Sequence, residues 1–349
     1  MSTEQKVLGA AIFGAGWVAG EHAKAYEACE RTRLVAVGSR REESARNCAV
    51  AAGVPNAFIT TNFDDLLKHP EVDIISITTP PDLHPELTIR AAEAGKHICI
   101  EKPIALDWES CIEMQKAVNK AGVKTIVSFC LHWNPSLQNT RALIDSGAIG
   151  KPYYVEVDYW HGMKEWYPQY PWAIQKPQGG SSLLSAGCHA VDAMRWFAGV
   201  DNEVTEVFAL NVPHKGTNPD WGIDPTTLLT CKFADGTIGK TASILDCKMP
   251  YQFNIDVVGT AGTIRDNRLW SETLMPGQTA WATIPTILPD SGDVSHHPFT
   301  GQIEEFVAAI LDGVPCLPDL DDAVKTHELV FAADQSAATG QAVKLPLAR

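Results

Sequence analysis

A doubly wound α/β domain followed by an α+β domain is the architecture this sequence predicts, on three observations. The chain has 349 residues, against a usual domain size of about 150, so it can bury two cores. Its first third alternates short apolar runs with helix-compatible stretches, the pattern of a parallel sheet with helices on both faces. After about Asn134 the pattern turns to longer β-rich segments with turns such as Asp235-Gly236. The expected division is 1–130 for the first domain and 131–349 for the second, with a C-terminal helix at about 321–338 that could pack back toward the first.

The first element is a strand over 7–13, apolar on both faces, followed by G-A-G-W-V-A and a helix to about residue 29. In a strand, glycine turn and helix of this kind, the first glycine makes the tight turn and the second lets the backbone approach a pyrophosphate. Gly14, Gly16, Trp17 and Val18 are therefore expected at a dinucleotide, with its phosphates on the helix N-terminus and Ala19 allowing helix and strand to pack closely. Strands at 34–37, 72–77, 97–100 and 124–129, separated by helices at 42–52, 85–94 and 108–121, complete a Rossmann-type sheet.

The second strand ends in Gly38-Ser39-Arg40-Arg41, where an NAD-binding domain usually carries an acidic residue for the ribose 2'-hydroxyl. A hydroxyl and two guanidinium groups suit a 2'-phosphate, which favours NADP. If the arginines are solvated or stack on adenine instead, NAD stays open. Two further strand ends fall where such a sheet binds its ligand. One reads T-T-P-P-D-L-H, placing Thr79, Pro80 and His84 near the cofactor. The other reads E-K-P, placing Glu101 and Lys102 there, with the proline restricting the direction of the lysine.

The composition closes off other classes. A formal charge of -14 disfavours nucleic acid and anionic membrane surfaces. With 45% hydrophobic and 20% charged residues, and no low-complexity run, the chain reads as globular rather than disordered. Nine scattered cysteines without a C-x-x-C pair support neither a disulfide scaffold nor a structural zinc site. His296-His297 reads as a polar loop pair, since spacing places no third ligand beside it. The glycine-broken apolar run after Lys6 resembles a signal peptide only superficially, and no stretch reaches the ~18 apolar residues of a membrane span. The expectation is a cytoplasmic protein.

In the second half, strands are expected at 153–160, 204–211, 226–233, 240–245 and 252–258. Between Gly179-Gly180 and Phe197 the apolar spacing reads as a helix, with Ser185, His189, Asp192 and Trp196 on one stripe. Aromatic residues at 159–160, 166–167 and Trp172 suit the apolar faces of a sugar ring. His132, Asn134, His161 and Lys176 could bond its hydroxyls.

The glycine turn, the E-K-P, the segment G-G-S-S-L-L-S-A-G-C-H-A-V-D and the later V-G-T-A-G-T-I together resemble the Gfo/Idh/MocA family, named for glucose-fructose oxidoreductase and inositol dehydrogenase, over essentially the whole chain. The resemblance implies a large, mostly antiparallel open sheet in the second domain that pairs copies into homodimers or homotetramers. It also implies NAD(P)-dependent chemistry on a sugar, polyol or glycoside. The family's catalytic lysine matches Lys102, and its catalytic histidine matches His189. The family pattern has an aspartate four residues before that histidine, where this chain has Ser185. Serine cannot supply the charge of an aspartate; Asp192 would support His189 only if the helix brings their side chains together. The departure keeps two alternatives open: a glycoside hydrolase that retains NAD and oxidises its substrate only transiently, and a non-catalytic NADP-binding sensor.

Overall fold

The computed structural model describes residues 6–165, 167, 169–213, 220–286 and 297–348. They form two compact units, one of residues 1–130 with 297–324 and the other of 131–296 with 325–349.

In the first unit the chain runs β1 (Leu8–Phe13), α1 (Ala19–Ala28), β2 (Thr32–Gly38), α2 (Glu42–Ala51), β3 (Phe58–Thr60), α3 (Phe63–Lys68), β4 (Ile74–Ile77), a 3-10 turn (Pro81–Leu83), α4 (His84–Glu93), β5 (His97–Ile100), α5 (Trp108–Ala121) and β6 (Thr125–Val127). The strands pair in parallel in the order β3-β2-β1-β4-β5-β6. Every residue of β1 and β4 is buried, as a sheet covered on both faces requires. The apolar run that mimics a signal peptide is thus the central strand. Strand order reverses between β1 and β4, the point at which such sheets bind nucleotides. Helix ends are set locally: Asp107 caps α5 by accepting from the Ser110 N–H at 2.8 Å, and Gly122, at φ 67°, turns the chain out of it. The short β3 and α3 carry too few apolar residues to show in the sequence pattern.

The second unit contains a 3-10 turn (Cys130–Trp133), α6 (Pro135–Asp145), β7 (Pro152–Trp160), α7 (Tyr170–Ala173), α8 (Lys176–Gly179), a π-helical turn (Leu183–Gly187) and α9 (Cys188–Ala198). There follow β8 (Val204–Val212), β9 (Thr226–Phe233), β10 (Ile238–Ile244), β11 (Gln252–Gly259), β12 (Gly262–Arg265), β13 (Arg268–Ser271) and β14 (Ala282–Thr283). The chain continues through α10 (Phe299–Leu311) and α11 (Leu320–Thr339) to β15 (Val343–Lys344). Nine strands form one sheet in the order β14-β13-β12-β11-β7-β10-β9-β8-β15. Among the described residues only β7 and β10 pair in parallel. On β9 buried Thr227, Leu229, Cys231 and Phe233 alternate with more exposed neighbours, so the sheet has one packed face and one open face. On the packed face α9 comes so close to β10 that a Cβ on Gly239 would lie 2.6 Å from the Met194 sulfur.

The division departs from a single cut after residue 130. Phe299 of α10 packs on the His22 ring at 5.1 Å, and Gln302 donates to Ser128 Oγ at 2.9 Å. The Leu320 N–H at the start of α11 bonds Thr125 Oγ1 at 3.0 Å. These contacts put 297–324 with the first unit. Among the described residues no helix is long and apolar enough to cross a membrane.

Candidate active site

The dinucleotide cradle is assembled from the strand ends of the first unit. Gly14 has φ 109°, and a Cβ there would lie 2.6 Å from the Thr78 backbone, so only glycine lets the ends of β1 and β4 run together. Thr78 Oγ1 seals the junction by donating to the Gly14 carbonyl at 2.7 Å. A Cβ on exposed Gly16 would meet open space. Beyond it Trp17 is half-buried and Val18 buried, and no side chain caps the α1 N-terminus. Thr79 places a buried hydroxyl with no hydrogen-bond partner at the end of β4, beside half-buried Pro80. Open space above Gly16, an uncapped helix start and an unsatisfied hydroxyl fit a dinucleotide pyrophosphate. At the end of β2, the Ser39 N–H bonds the Thr60 carbonyl at 3.1 Å, while Arg40 and Arg41 are exposed.

The E-K-P turn at the end of β5 carries half-buried Lys102. Glu101 and His84 do not line the cradle as expected, because both side chains turn inward. Glu101 Oε1 lies 2.8 Å from His22 Nε2, and the carboxylate is 8% exposed. Burial opposes its charge, but its bond to His22 and the nearby His22 and Lys102 charges hold its pKa below the ordinary value. His22 on α1 is fully buried. Burial opposes its charge too, yet Cys99 and Glu101 beside it push its pKa up to about 10. The fully buried His84 ring places Nδ1 2.8 Å from the Pro103 carbonyl and Nε2 2.8 Å from the Thr79 carbonyl. Burial lowers its pKa against the pull of these two carbonyls.

In the second unit His189 sits in the first turn of α9, 6% exposed, with its ring stacked on Tyr159 of β7 at 6.2 Å and 13°. The expected continuous stripe is broken, because the residues before it form a π turn rather than an α-helix. Gly187 lets that turn wedge against β10, where a Cβ would lie 2.6 Å from that of Ser243. Ser185 Oγ donates to the Ala173 carbonyl at 3.2 Å. Asp192 is engaged elsewhere: Oδ2 meets His132 Nε2 at 2.5 Å, and Oδ1 accepts from Thr326 at 3.0 Å.

Two expected sugar ligands have partners within the protein. His132 is paired with Asp192 and stacked on Trp196 at 4.1 Å, and Asn134 caps α6 by accepting from the Ser136 N–H at 2.9 Å. His161 is 3% exposed and borders a cavity of about 410 Å³ that Lys164, Lys248 and Tyr251 also line. Trp172 is half-buried on α7, and Lys176 is exposed at the start of α8. Trp166 and His296 lie outside the described residues. While Tyr159, expected against a sugar ring, stacks on His189, the sequence reading missed His22 and Tyr251. A histidine one turn after the glycine motif is the only one of these with a local signal.

Residues 8–129 match the family model for an oxidoreductase family with an NAD-binding Rossmann fold, and residues 137–265 match the model of the GFO/IDH/MocA C-terminal domain. The chain belongs to the Gfo/Idh/MocA oxidoreductase family. Among its relatives is the scyllo-inositol 2-dehydrogenase (NAD(+)) of Bacillus subtilis, 26% identical over 351 residues, 97% of this chain and 96% of that one. The 2,7-anhydro-N-acetylneuraminate hydratase of Escherichia coli is 29% identical over 208 residues, 60% of this chain and 54% of the relative. The crystal structure of GenD2 from gentamicin A biosynthesis, in complex with NAD, superposes with a TM-score of 0.82 at 26% identity, covering 98% of this chain and 97% of that one. As a member of this family, the protein is an NAD-binding oxidoreductase with a parallel first sheet and a mostly antiparallel second one.

Proposed function

We propose that this oxidoreductase transfers hydride between a nicotinamide and a hydroxyl or keto carbon of a sugar, polyol or glycoside. The observation that carries the reading is Lys102: a half-buried lysine set at the end of β5, on the strand ends that build the dinucleotide cradle. The bound nicotinamide supplies the hydride acceptor. Lys102 hydrogen-bonds the reacting oxygen and stabilises its negative charge, and His189 takes the hydroxyl proton. The dehydrogenase among the relatives supports this substrate class. Incubating the protein with NADP or NAD and a panel of inositols, aldoses and glycosides should produce reduced cofactor at 340 nm with at least one of them. Silence across the panel with both cofactors would refute the reading.

NADP is the favoured cofactor, because the β2 end offers Ser39 and two exposed arginines and no carboxylate up to Arg41. Titration should give a lower Kd for NADP than for NAD. The open face of the second sheet exposes Phe208, Leu210, Val212 and Leu228, which supports pairing of copies there.

A redox-neutral reading keeps one specific observation. Ser185, standing where the family aspartate does, turns its hydroxyl to the Ala173 carbonyl, and a hydratase is among the relatives. Cofactor that survives purification and never accumulates in reduced form while a glycoside is cleaved would move this reading to first place.

A further inference from the structure

We infer that His22 and His84 are positioning residues that fix Lys102 to the dinucleotide cradle. The inference rests on the reading that Lys102 acts on the substrate. Each histidine starts from a different wall of the cradle and ends on the E-K-P turn. His22 lies on α1, one turn beyond the glycine motif, and its Nε2 holds Glu101 Oε1 at 2.8 Å. Glu101 is the residue immediately before the lysine, and its other oxygen lies 3.3 Å from the Lys102 N–H. His84 opens α4 behind the T-T-P-P loop, and its ring spans from the Thr79 carbonyl to the Pro103 carbonyl, 2.8 Å from each. The lysine is therefore bracketed: the residue before it is held by α1, and the residue after it by the loop that carries Thr79.

The surroundings of His22 are built to keep its orientation. Nδ1 faces Ser76 Oγ at 3.2 Å, which the Tyr26 hydroxyl holds in turn at 2.8 Å. Cys99 Sγ stands 3.8 Å from Nδ1, and the Phe299 ring covers the remaining side at 5.1 Å. Among the described residues Glu101 is the carboxylate paired with the ring. A buried ion pair of this kind is seldom a better stabiliser than apolar side chains of the same volume, because desolvation consumes its Coulombic gain. What it adds here is direction. The pair ties a helix that offers its N-terminus to phosphate to the strand end that offers an ammonium to the reacting oxygen, and small displacements at such a site are costly in rate.

The test uses the full-length protein loaded with dinucleotide and the variants His22→Gln, His84→Gln and Glu101→Gln. For each, kcat per dinucleotide site, KM, dinucleotide Kd and Tm are measured, together with the 15N imidazole resonances of His22. Positioning predicts that kcat falls about 30-fold in His22→Gln and about 10-fold in His84→Gln, with KM and Kd within threefold of wild type. Unchanged kcat, or losses that appear equally in Kd, overturn the inference. Should His22→Gln fail to fold, His84→Gln and the double variant His22→Gln/Glu101→Gln carry the same comparison. The NMR arm needs no turnover: His22 should titrate at a lower pH in Glu101→Gln than in the wild type, because the carboxylate that accepts from its ring is gone. A His22 titration that Glu101→Gln leaves unmoved overturns the inference, whereas a wild type inactive on every sugar in which Glu101→Gln still moves His22 sinks only the functional reading.

Discussion

Around Lys102 the backbone is fixed by buried polar contacts, from His22 to Glu101 and from His84 to the Pro103 carbonyl. Around His189 it is fixed by shape: a π turn wedged against β10 through Gly187 and a ring stacked on Tyr159. A polar bracket concentrates its effect in a few bonds, each replaceable one at a time. A packed wedge spreads it over many weak contacts, so single polar changes there should matter less and volume changes more.

The largest effect should come from the two proposed reacting groups themselves. Lys102→Met is expected to lower kcat/KM at least 1000-fold, about 4 kcal/mol of transition-state stabilisation, and His189→Ala about 100-fold. Steady-state kinetics with the best substrate of the panel decide this; near-normal turnover in both variants would remove the site. Next in size is Gly14→Ala, where the backbone at φ 109° and the Thr78 contact leave no space for a Cβ. It should abolish measurable dinucleotide binding by calorimetry or leave the protein insoluble.

The polar bracket also has a pH signature. His22 has a folded pKa of about 10 against an ordinary 6.5, so its contribution to stability is full below pH 6.5 and is lost as pH rises through 10. Glu101 is shifted the other way, below its ordinary value, so its contribution is present above pH 4.5 and is lost as pH falls through the folded pKa. Unfolding free energy by urea denaturation should therefore decline from near neutrality toward pH 10, by on the order of a few kcal/mol, and that slope should flatten in His22→Gln. Smaller still, Arg40→Ala with Arg41→Ala should weaken NADP about 10-fold or more while leaving NAD within twofold. The smallest is Ser185→Asp, the family residue restored. Because Ser185 faces the Ala173 carbonyl, the substitution should leave kcat within about threefold, and a large gain would show that the π turn realigns.

The contrast also explains what the sequence made legible. In the first unit the candidate residues sit at strand ends next to glycine and proline, where a few residues dictate local geometry, so the placement of Gly14, Gly16, Thr79 and Lys102 at the ends of β1, β4 and β5 is legible from the sequence. Whether a side chain such as Glu101 or His84 turns outward depends on a histidine 79 residues away in one case and on a carbonyl 19 residues away in the other. In the second unit, four-residue spacing suggests one continuous α-helical stripe through Ser185 and His189, but the residues up to Gly187 form a π turn, which the apolar spacing alone does not distinguish from an α-helix. Asn134 stands just before Pro135, a place that fits a helix cap as well as a ligand, and its bond to the Ser136 N–H is visible only in the structure. The open sheet could be named from resemblance, whereas its strand order depends on long-range pairing that no local pattern encodes.

The parallel pairing of β7 with β10 bears on how such a protein diversifies. Parallel neighbours cannot be joined by a hairpin, so residues 161–237 form one excursion hung between two strands whose register is locked. Insertions and deletions early in that excursion, around α7 and α8, can remodel the segment that Ser185 bonds through the Ala173 carbonyl while both anchoring strands keep their pairing. Descendants of this scaffold can thus change what they accept without relearning how to fold.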